Sequence, residues 1–305
     1  MTLVPLQSYI EDFVRDFLAS PAHNNLGPGT EEKAWQDHVL AYASADDDLW
    51  DFWKEHIGAF HWTPSEAFVA GMVPEALDRA AAAVPEDRQP ADPSTPAPRA
   101  DELTVVSWAL SHTDVTKKDN RREDRLPSER WARTRFFGQK HNRALHRALV
   151  SGLAQQGYEA VAPALLPAHC EKPSPDLGDA SNWSERHVAY TAGLGTFSLC
   201  GGLITTLGQA VRLGSVVVRA VIPATPRPYE DPYEYCLHFN GGNCTACARR
   251  CPVGSMDGEN RDKQVCADYL EVTTKTFVQN QYGFDGYGCG LCQTGVPCES
   301  RIPPR

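Results

Sequence analysis

The architecture of this chain follows from NCTACARRCPVG (residues 243–254) together with GYGCGLCQTGVPCES (residues 286–300). The pattern C-x2-C-x3-C-P, which begins at Cys244, reproduces three ligands and the closing proline of the ferredoxin run C-x2-C-x2-C-x3-C-P, whose last cysteine serves the other cluster of a pair. Eight of the ten cysteines lie between Cys236 and Cys298. The pattern predicts a ferredoxin-like module with two [4Fe-4S] clusters.

One cysteine of the ferredoxin run is displaced. The first position of the run is Gly241 here, and we expect Cys236 to replace it, because the adjacent glycines of NGG at 240–242 allow the loop to fold back and deliver a thiolate. Crossed ligation then predicts one cluster on Cys236, Cys244, Cys247 and Cys298 and the other on Cys251, Cys266, Cys289 and Cys292.

Two other readings of the cysteines remain open. Four thiolates from CxxC pairs also suit structural zinc, although the CxxxCP closure is typical of crossed cluster ligation. Cys170 and Cys200 lie outside the module in sequence, and we interpret both as free buried thiols.

Composition limits the kinds of partner. The chain has 305 residues and a formal net charge of -10, which makes non-specific attraction to nucleic-acid phosphates unfavourable. No run of about 18 apolar residues and no export signal is evident, so we expect a cytoplasmic protein without a membrane partner. A small-molecule substrate is expected, and a nucleic acid is not.

Three units are predicted along the chain. Residues 1–100 read as short amphipathic helices followed by the linker PEDRQPADPSTPAPRADE, which has no periodicity. Residues 101–228 alternate strands, such as LTVVSWAL at 103–110, with helices, such as 128–156 before Gly157, and this predicts an α+β or α/β domain. Residues 229–305 form the cysteine module.

The segment AGLGTFSLCGGLITTLGQAVRLGSVVV (192–218), followed by that module, resembles the region that epoxyqueuosine reductases and corrinoid reductive dehalogenases share. The resemblance implies a nitroreductase-like domain that holds base-off cobalamin against two [4Fe-4S] clusters. It assigns cofactor contacts to the turn and strands that would line the corrinoid, namely Gly193, Leu194, Gly195, Gly202, Leu203, Ile204, Gly214 and Ser215. No Asp-x-His-x-x-Gly run, the usual source of a histidine on the lower corrinoid face, occurs in the sequence.

The same resemblance implies a catalytic acid. The family's aspartate precedes a glutamate by six residues and the AGLG alanine by thirteen, which places it at Asp179, with Glu185 and Ala192 in register. Reductive C–O cleavage leaves an anion that needs a proton, and burial beside Trp183 or the corrinoid is expected to raise the pKa of this acid. The structural alternative is a turn or N-cap residue. His187, Tyr190, His112 and Asp114 are the next candidate acids.

The sequence also departs from the family. It stops seven residues after Cys298, without the helical repeats used in tRNA recognition, and Leu199 replaces the lysine of the Gly-rich turn. We therefore expect a reductase of a small organic substrate that receives electrons from a low-potential donor of the ferredoxin or flavodoxin type. The alternatives are an electron-transfer protein that serves another enzyme, and epoxyqueuosine reduction on tRNA.

Overall fold

A four-stranded sheet with helices on both sides organises the protein. The computed structural model describes residues 5–72, 97–174, 178–258 and 261–304. The helices are α1 (Leu6–Ala19), α2 (Leu49–Ile57), α3 (Pro64–Met72), α4 (Asp114–Arg121), α5 (Glu129–Arg133), α6 (Gln139–Gln155), α7 (Glu185–Thr191), α8 (Ala246–Arg249), α9 (Lys263–Asp268) and α10 (Lys275–Tyr282). The strands are β1 (Trp35–Ser44), β2 (Thr104–His112), β3 (Ala160–Val161), β4 (Glu171–Ser174), β5 (Gly178–Ser181), β6 (Gly195–Phe197), β7 (Leu203–Thr205) and β8 (Val211–Val218).

The main sheet has the order β1-β2-β8-β3, and every neighbouring pair is antiparallel. Two small hairpins, β4-β5 and β6-β7, stand apart from it. The prediction of a mixed helix and strand fold is confirmed. Because the strands of the sheet are antiparallel, α+β describes the fold better than a parallel α/β arrangement.

Strand β2 is buried over its whole length, as the apolar run at 103–110 predicts. Successive side chains of a strand point to opposite faces. Val105 and Ala109 face a core made with α2, α3 and α7, whereas Val106, Trp108 and Leu110 face a core made with α1 and α6. Each fully buried large apolar side chain contributes roughly 1.5–3 kcal/mol, so these two cores hold the layers together.

The long amphipathic helix predicted for 128–156 is present in three parts. α5 and α6 are joined through a π-helical segment, Thr134–Gly138. Leu145, Leu149 and Leu153 recur every four residues on one face of α6 and are buried against the sheet and α1. Gly157, with φ +84°, follows the helix in a left-handed conformation that glycine adopts easily.

The prediction of a wholly helical N-terminal region is wrong. Trp35–Ser44 is a strand, and it pairs with β2 through contacts such as Ala41 opposite Ser107. This strand is specified by a partner more than sixty positions away, so its own sequence pattern did not reveal it. The predicted linker lies mostly outside the described residues. Among the described residues, no helix has the length and apolar character needed to cross a membrane.

The C-terminal region is built from α8, α9 and α10 and from irregular segments. α9 continues into α10 through the π-helical segment Tyr269–Thr274. Within the described part of this region, strand pairing is limited to an isolated bridge between Met256 and Arg261. The predicted ferredoxin-like topology is therefore not confirmed.

Candidate functional site

The cysteines that are far apart in sequence come together in space. Cys236 and Cys247 are buried in a cluster with Leu199, Ile204 and Met256, and Cys251, Cys292 and Cys298 pack against it. Cys200 belongs to the same cluster. Cys200 is a free buried thiol, as predicted, and it lies beside the cysteine site because the Gly-rich turn folds onto the C-terminal region, whereas Cys170 is only half-buried.

The predicted ligands fall into two neighbourhoods. One holds Cys236, Cys244, Cys247 and Cys298, and the other holds Cys251, Cys266, Cys289 and Cys292. This is the grouping that crossed ligation predicts. Cluster ligation itself stays a prediction.

The thiols of Cys289 and Cys298 are difficult to ionise unless a positive charge lies beside the sulfur. Burial raises the pKa of Cys289 to about 11, and nearby Cys266 and Cys251 contribute to the rise. Burial likewise raises the pKa of Cys298 to about 12. A coordinated metal supplies positive charge at the sulfur and deprotonates a thiol outright. The donor set therefore suits a metal-bearing group.

The thiols lie near one another, but they are neither joined by disulfides nor arranged around a single point. All ten cysteines are free of disulfides. In the part of the chain that the structure describes, no three histidine, cysteine or carboxylate side chains meet around one point in a way that could hold a single metal ion. A zinc ion would gather its thiolates within about 2.3 Å of one centre, whereas each thiolate of a [4Fe-4S] cluster binds a different iron.

Helix α4 anchors the cysteine-bearing loop to the sheet. The Asn120 side chain donates to the carbonyl of Cys289 at 3.2 Å and to Thr294 Oγ1 at 3.1 Å. Arg121 forms an ion pair with the buried carboxylate of Glu299. These contacts fix the loop that carries three of the predicted ligands.

The predicted corrinoid contacts occupy the β6-β7 hairpin and strand β8. A Cβ at Gly195 would lie 2.0 Å from the carbonyl oxygen of Ile204, so glycine is required there by strand pairing. A Cβ at Gly214 would lie 2.6 Å from the Trp108 ring, so glycine is required there by core packing. Because internal packing accounts for both glycines, a corrinoid contact at these positions stays a prediction.

The remaining predicted contacts are divided between surface and core. Gly193 and Gly202 are partly exposed, whereas Leu194, Leu203 and Ser215 are buried. Ser215 Oγ accepts a hydrogen bond of 2.9 Å from Trp183 Nε1. Ser215 therefore already has a protein partner on the buried face of β8.

Sequence reasoning missed a group of buried polar side chains beside α7. Both carboxylate oxygens of Glu185 are buried without a hydrogen-bond partner, and His146 Nε2 lies 3.7 Å from one of them. Both ring nitrogens of His61 are also buried without a partner. Burial, with Lys54 nearby, lowers the pKa of His61 to about 4. An unpartnered buried carboxylate is costly, so Glu185 fits a position that a polar ligand completes. No local sequence signal marks His61 or His146.

Asp179 lies on the exposed β4-β5 hairpin, opposite Pro173. Its backbone carbonyl accepts a hydrogen bond of 3.3 Å from Lys263 Nζ. Trp183, in contrast, is buried and stacks on Trp50 with ring centroids 6.1 Å apart. Asp179 is not buried beside Trp183, because the hairpin holds the aspartate at the surface and the chain returns to the core only afterwards; burial of Asp179 against a corrinoid stays a prediction. The catalytic role of Asp179 stays a prediction.

The alternative acids have different environments. Burial lowers the pKa of His187 well below its ordinary value, and it lowers the pKa of His112 to about 3. Both imidazoles are therefore neutral near pH 7 and hold no extra proton to donate. Asp114 is exposed and pairs with Lys117 at 2.9 Å.

Three cationic side chains lie near the Gly-rich turn and the β4-β5 hairpin that carries Asp179. Arg186 donates to the carbonyl of Gly201, and Arg261 Nη1 donates to the carbonyl of Cys200 at 2.7 Å. Burial lowers the pKa of Lys263, and the neighbouring Arg186 and Arg261 lower it further. Positive charge is therefore gathered beside Asp179 although the chain as a whole is acidic.

Comparison with known proteins gives a relationship over part of the chain. No protein-family model matches the sequence. An epoxyqueuosine reductase of Staphylococcus aureus is 34% identical over 144 residues, which are 44% of this chain and 35% of the relative. An epoxyqueuosine reductase of Listeria monocytogenes is 33% identical over 126 residues, which are 39% of this chain and 30% of the relative. The matches thus span about a third of each curated relative.

Solved structures with a similar backbone include two kinds of protein. An epoxyqueuosine reductase with an epoxyqueuosine-modified tRNA stem loop aligns with a TM-score of 0.43 and 18% identity, over 95% of this chain and 66% of that one. A catabolic reductive dehalogenase aligns with a TM-score of 0.44 and 14% identity, over 68% of this chain and 27% of that one.

The fold and the site define a mixed α/β protein with a centre rich in cysteine thiols. The named relatives are oxidoreductases, as the sequence predicts for this chain. The sequence similarity confirms the resemblance to the epoxyqueuosine reductase family.

These comparisons contradict the expectation of a small-molecule substrate with nucleic acid unlikely. Both curated relatives are named for epoxyqueuosine. The expectation relied on the net charge of the whole chain and on the missing helical repeats, and neither describes the local surface. Charges are screened over about 8–10 Å at ordinary ionic strength, so a local group of cations can meet phosphates on an acidic protein.

Proposed function

We propose that the protein is a cytoplasmic oxidoreductase that reduces epoxyqueuosine in tRNA with the help of cobalamin and two [4Fe-4S] clusters. The observation that carries the proposal is the combination of sequence similarity to epoxyqueuosine reductases with eight cysteines gathered in two neighbourhoods. The similarity covers about a third of the relatives, so the cysteine site provides the independent support.

Clusters fit this donor set for an electrostatic reason. The thiols are buried or half-buried and lie beside one another, and the raised pKa of Cys289 and of Cys298 disfavours free thiolates at those positions. Iron bonded to the sulfurs would compensate that charge. The ligands would be Cys236, Cys244, Cys247 and Cys298 for one cluster and Cys251, Cys266, Cys289 and Cys292 for the other.

A corrinoid fits the face of the fold that carries α7 and β8. The carboxylate of Glu185 is buried without a partner, and the amide groups at the rim of a corrinoid can donate to it. When bound, a low-valent cobalt supplies the reducing chemistry. The chain itself would hold the ring through the β6-β7 hairpin and would exclude water with Trp50 and Trp183.

Asp179 is the proposed proton donor. Cleavage of a C–O bond leaves an oxyanion or carbanion, and a positioned carboxylic acid can protonate it. Asp179 is exposed in this structure, so it would hold the proton it donates only when the substrate and the corrinoid cover the hairpin and bury the carboxyl. Lys263, Arg186 and Arg261 lie beside the hairpin, and their charge favours the approach of an RNA backbone.

The test uses the full chain purified without oxygen. We expect about eight iron atoms per chain, a broad absorbance near roughly 400 nm that dithionite bleaches, and cobalamin bound after reconstitution. With dithionite as reductant, tRNA that carries epoxyqueuosine should yield queuosine in a nucleoside digest analysed by mass spectrometry. Tight zinc without iron would refute the cluster assignment. Unchanged tRNA, with iron and cobalamin fully loaded, would refute the reaction.

A further inference from the structure

Helix α6 and the segment before it are strongly basic in a chain that is acidic overall. Between Arg130 and Tyr158 the sequence has six arginine or lysine residues and no aspartate or glutamate, although the formal net charge of the chain is -10. Lys140, Arg143 and Arg147 are exposed, and their spacings of three and four residues place them on one side of the helix. These three side chains form the basic face of α6, opposite the buried leucines of the same helix.

The basic face is not neutralised by neighbouring carboxylates. Two other cations of this segment are paired, Arg130 with Glu32 and Asp119, and Arg133 with Glu129. In the part of the chain that the structure describes, the three side chains of the basic face form no ion pair. Their charge can therefore act on a partner outside the chain.

Further positive charge lies next to the basic face. Arg212 on β8 is half-buried. Burial lowers the pKa of Arg212 to about 9, and the nearby cations Arg135 and Arg143 lower it further. The pKa lies that low although Tyr287 and Glu185 act in the opposite direction. Cations that are crowded together repel one another, so an anionic partner stabilises them.

This basic surface adjoins the loop that carries Cys289. Arg135 Nη2 donates to Tyr287 Oη at 2.7 Å, and its guanidinium carbon lies 4.7 Å from the centre of the tyrosine ring. A Cβ at Gly288 would lie 3.3 Å from Arg135 Cβ, so the backbone of the loop packs directly on this arginine. Tyr287 and Gly288 immediately precede the predicted ligand Cys289. The basic surface is therefore next to one of the two predicted clusters.

Cations lie over the aromatic rings of this surface. Lys140 Nζ lies 4.1 Å from the centre of the Phe136 ring and 5.3 Å from that of Phe137. The Arg133 guanidinium lies 5.5 Å from the centre of the Phe284 ring. Single-stranded nucleic acids are bound largely by stacking of bases on open aromatic rings. This surface offers charge more than open rings, which favours the carboxylates of a protein over unpaired nucleotides.

The charge distribution also orients an acidic partner. Because the net charge is -10, an acidic protein is repelled by the chain as a whole and attracted at the basic face. Such complementarity raises the rate of encounter and fixes the orientation of the partner. An acidic partner would therefore arrive next to the loop of Cys289.

We propose that the basic face of α6 docks the electron donor, a small acidic one-electron carrier protein, and that electrons enter through the predicted cluster that includes Cys289. The inference rests on the proposed clusters. With a flavin carrier, the anionic hydroquinone loses one electron and becomes the neutral semiquinone, and one oxidised cluster gains that electron. No proton or atom has to move between the two proteins.

Three double variants test the docking surface. The reversed variant, Arg143→Glu with Arg147→Glu, inverts two charges of the basic face, and the conservative variant, Arg143→Lys with Arg147→Lys, keeps them. The control variant, Lys33→Glu with Lys118→Glu, makes the same change in net charge at two exposed cations outside α6. Each full chain is purified without oxygen, its iron is counted, and it is mixed in a stopped-flow instrument with a reduced acidic flavodoxin over a series of salt concentrations.

We expect the rate of flavodoxin oxidation by the parent protein to fall steeply as salt is added. The reversed variant should react about tenfold more slowly at low salt, because electrostatic steering changes association rates by about 10–10³-fold. The difference should disappear near about 1 M salt, where charges are screened over about 3 Å. The conservative and control variants should stay close to the parent protein, and dithionite should bleach the clusters of all four proteins to the same extent.

Several results would overturn the inference. Equal slowing in the reversed and control variants would show that net charge, and not the basic face, decides the rate. An unchanged rate in the reversed variant would remove the docking surface, and weaker binding of epoxyqueuosine tRNA by that variant would assign the basic face to RNA. A parent protein that binds no iron would remove the proposed function and this inference together. Full iron that dithionite bleaches, with a flavodoxin reaction that does not depend on salt, would remove this inference alone.

Discussion

Glu299→Gln should weaken the attachment of the cysteine-bearing loop to α4. The Glu299 carboxylate accepts hydrogen bonds from Arg121 Nε at 3.0 Å and 2.9 Å and from the backbone N–H of Gly295 at 2.6 Å. Hydrogen bonds to a charged group are worth about 1.5–3 kcal/mol, but the Arg121 side chain is 46% exposed, which reduces its share. We expect a loss of about 2 kcal/mol, since the amide keeps the shape and loses the charge.

Thermal unfolding of the full chain measures this loss. A change of about 2 kcal/mol corresponds to a Tm lower by roughly 4 °C in a chain of this size. Glu159→Gln is the control, because Glu159 pairs with Arg219 at 3.1 Å while its own side chain is 43% exposed, and it should change Tm little. Equal Tm values for the two variants would refute the energetic role of the Glu299 pair.

The same carboxylate predicts a pH dependence. Burial acts to raise the pKa of Glu299, but the bonds from Arg121 and from the N–H of Gly295 outweigh it, so the pKa lies below the ordinary value. A group whose pKa is lowered on folding contributes stability above its unfolded pKa of about 4.3 and loses it as the pH falls through the folded value. The difference between the parent protein and Glu299→Gln should therefore shrink below about pH 4.

Three further predictions concern the site and the core. Cys236→Ala should disturb only one of the two clusters in paramagnetic resonance spectra, and an unchanged spectrum with full iron would remove Cys236 from the ligands. Asp179→Asn should retain cofactors and reduce turnover of epoxyqueuosine tRNA by about 10²–10⁴-fold, with exposed Asp268→Asn as a control that should match the parent protein. Burial lowers the pKa of His112 in the folded protein to about 3, whereas the ordinary value in an unfolded chain is about 6.5. Between these two pH values His112 binds a proton only in the unfolded chain. Urea titrations should therefore show stability falling from pH 7 to pH 5, and a smaller fall in His112→Gln.

Local patterns predicted the parts of the fold that local chemistry determines. The apolar run at 103–110 became the buried strand β2, and Leu145, Leu149 and Leu153 formed the apolar face of α6 that ends before Gly157. Cysteine spacing predicted two sets of four ligands, and their assignment to two clusters stays a prediction. In each case the determining residues are close in sequence or share a rigid ligand pattern.

Tertiary contacts decided what the sequence pattern missed. Strand β1 owes its conformation to pairing with β2, which no window around Trp35–Ser44 contains. Cys200 lies far in sequence from the cysteines that it packs with, such as Cys236 and Cys247, so no local pattern places it beside them. The exposure of Asp179 follows from the β4-β5 hairpin, and the unpartnered oxygens of Glu185 can be recognised only when the surrounding side chains are placed.

The anchoring of the cysteine loop by α4 also constrains the order of folding. Asn120 reaches Cys289 and Thr294 across 169 and 174 positions of chain. Closing a loop of that length costs roughly 4–5 kcal/mol of chain entropy, and the pairing of β2 with β8 shortens the loop, so we expect these contacts to form after that pairing. Until then the ligand thiols are exposed to oxidants that convert thiolates to sulfenic acids or disulfides. Iron supplied early in refolding should therefore raise the yield of intact protein more than the same iron supplied later.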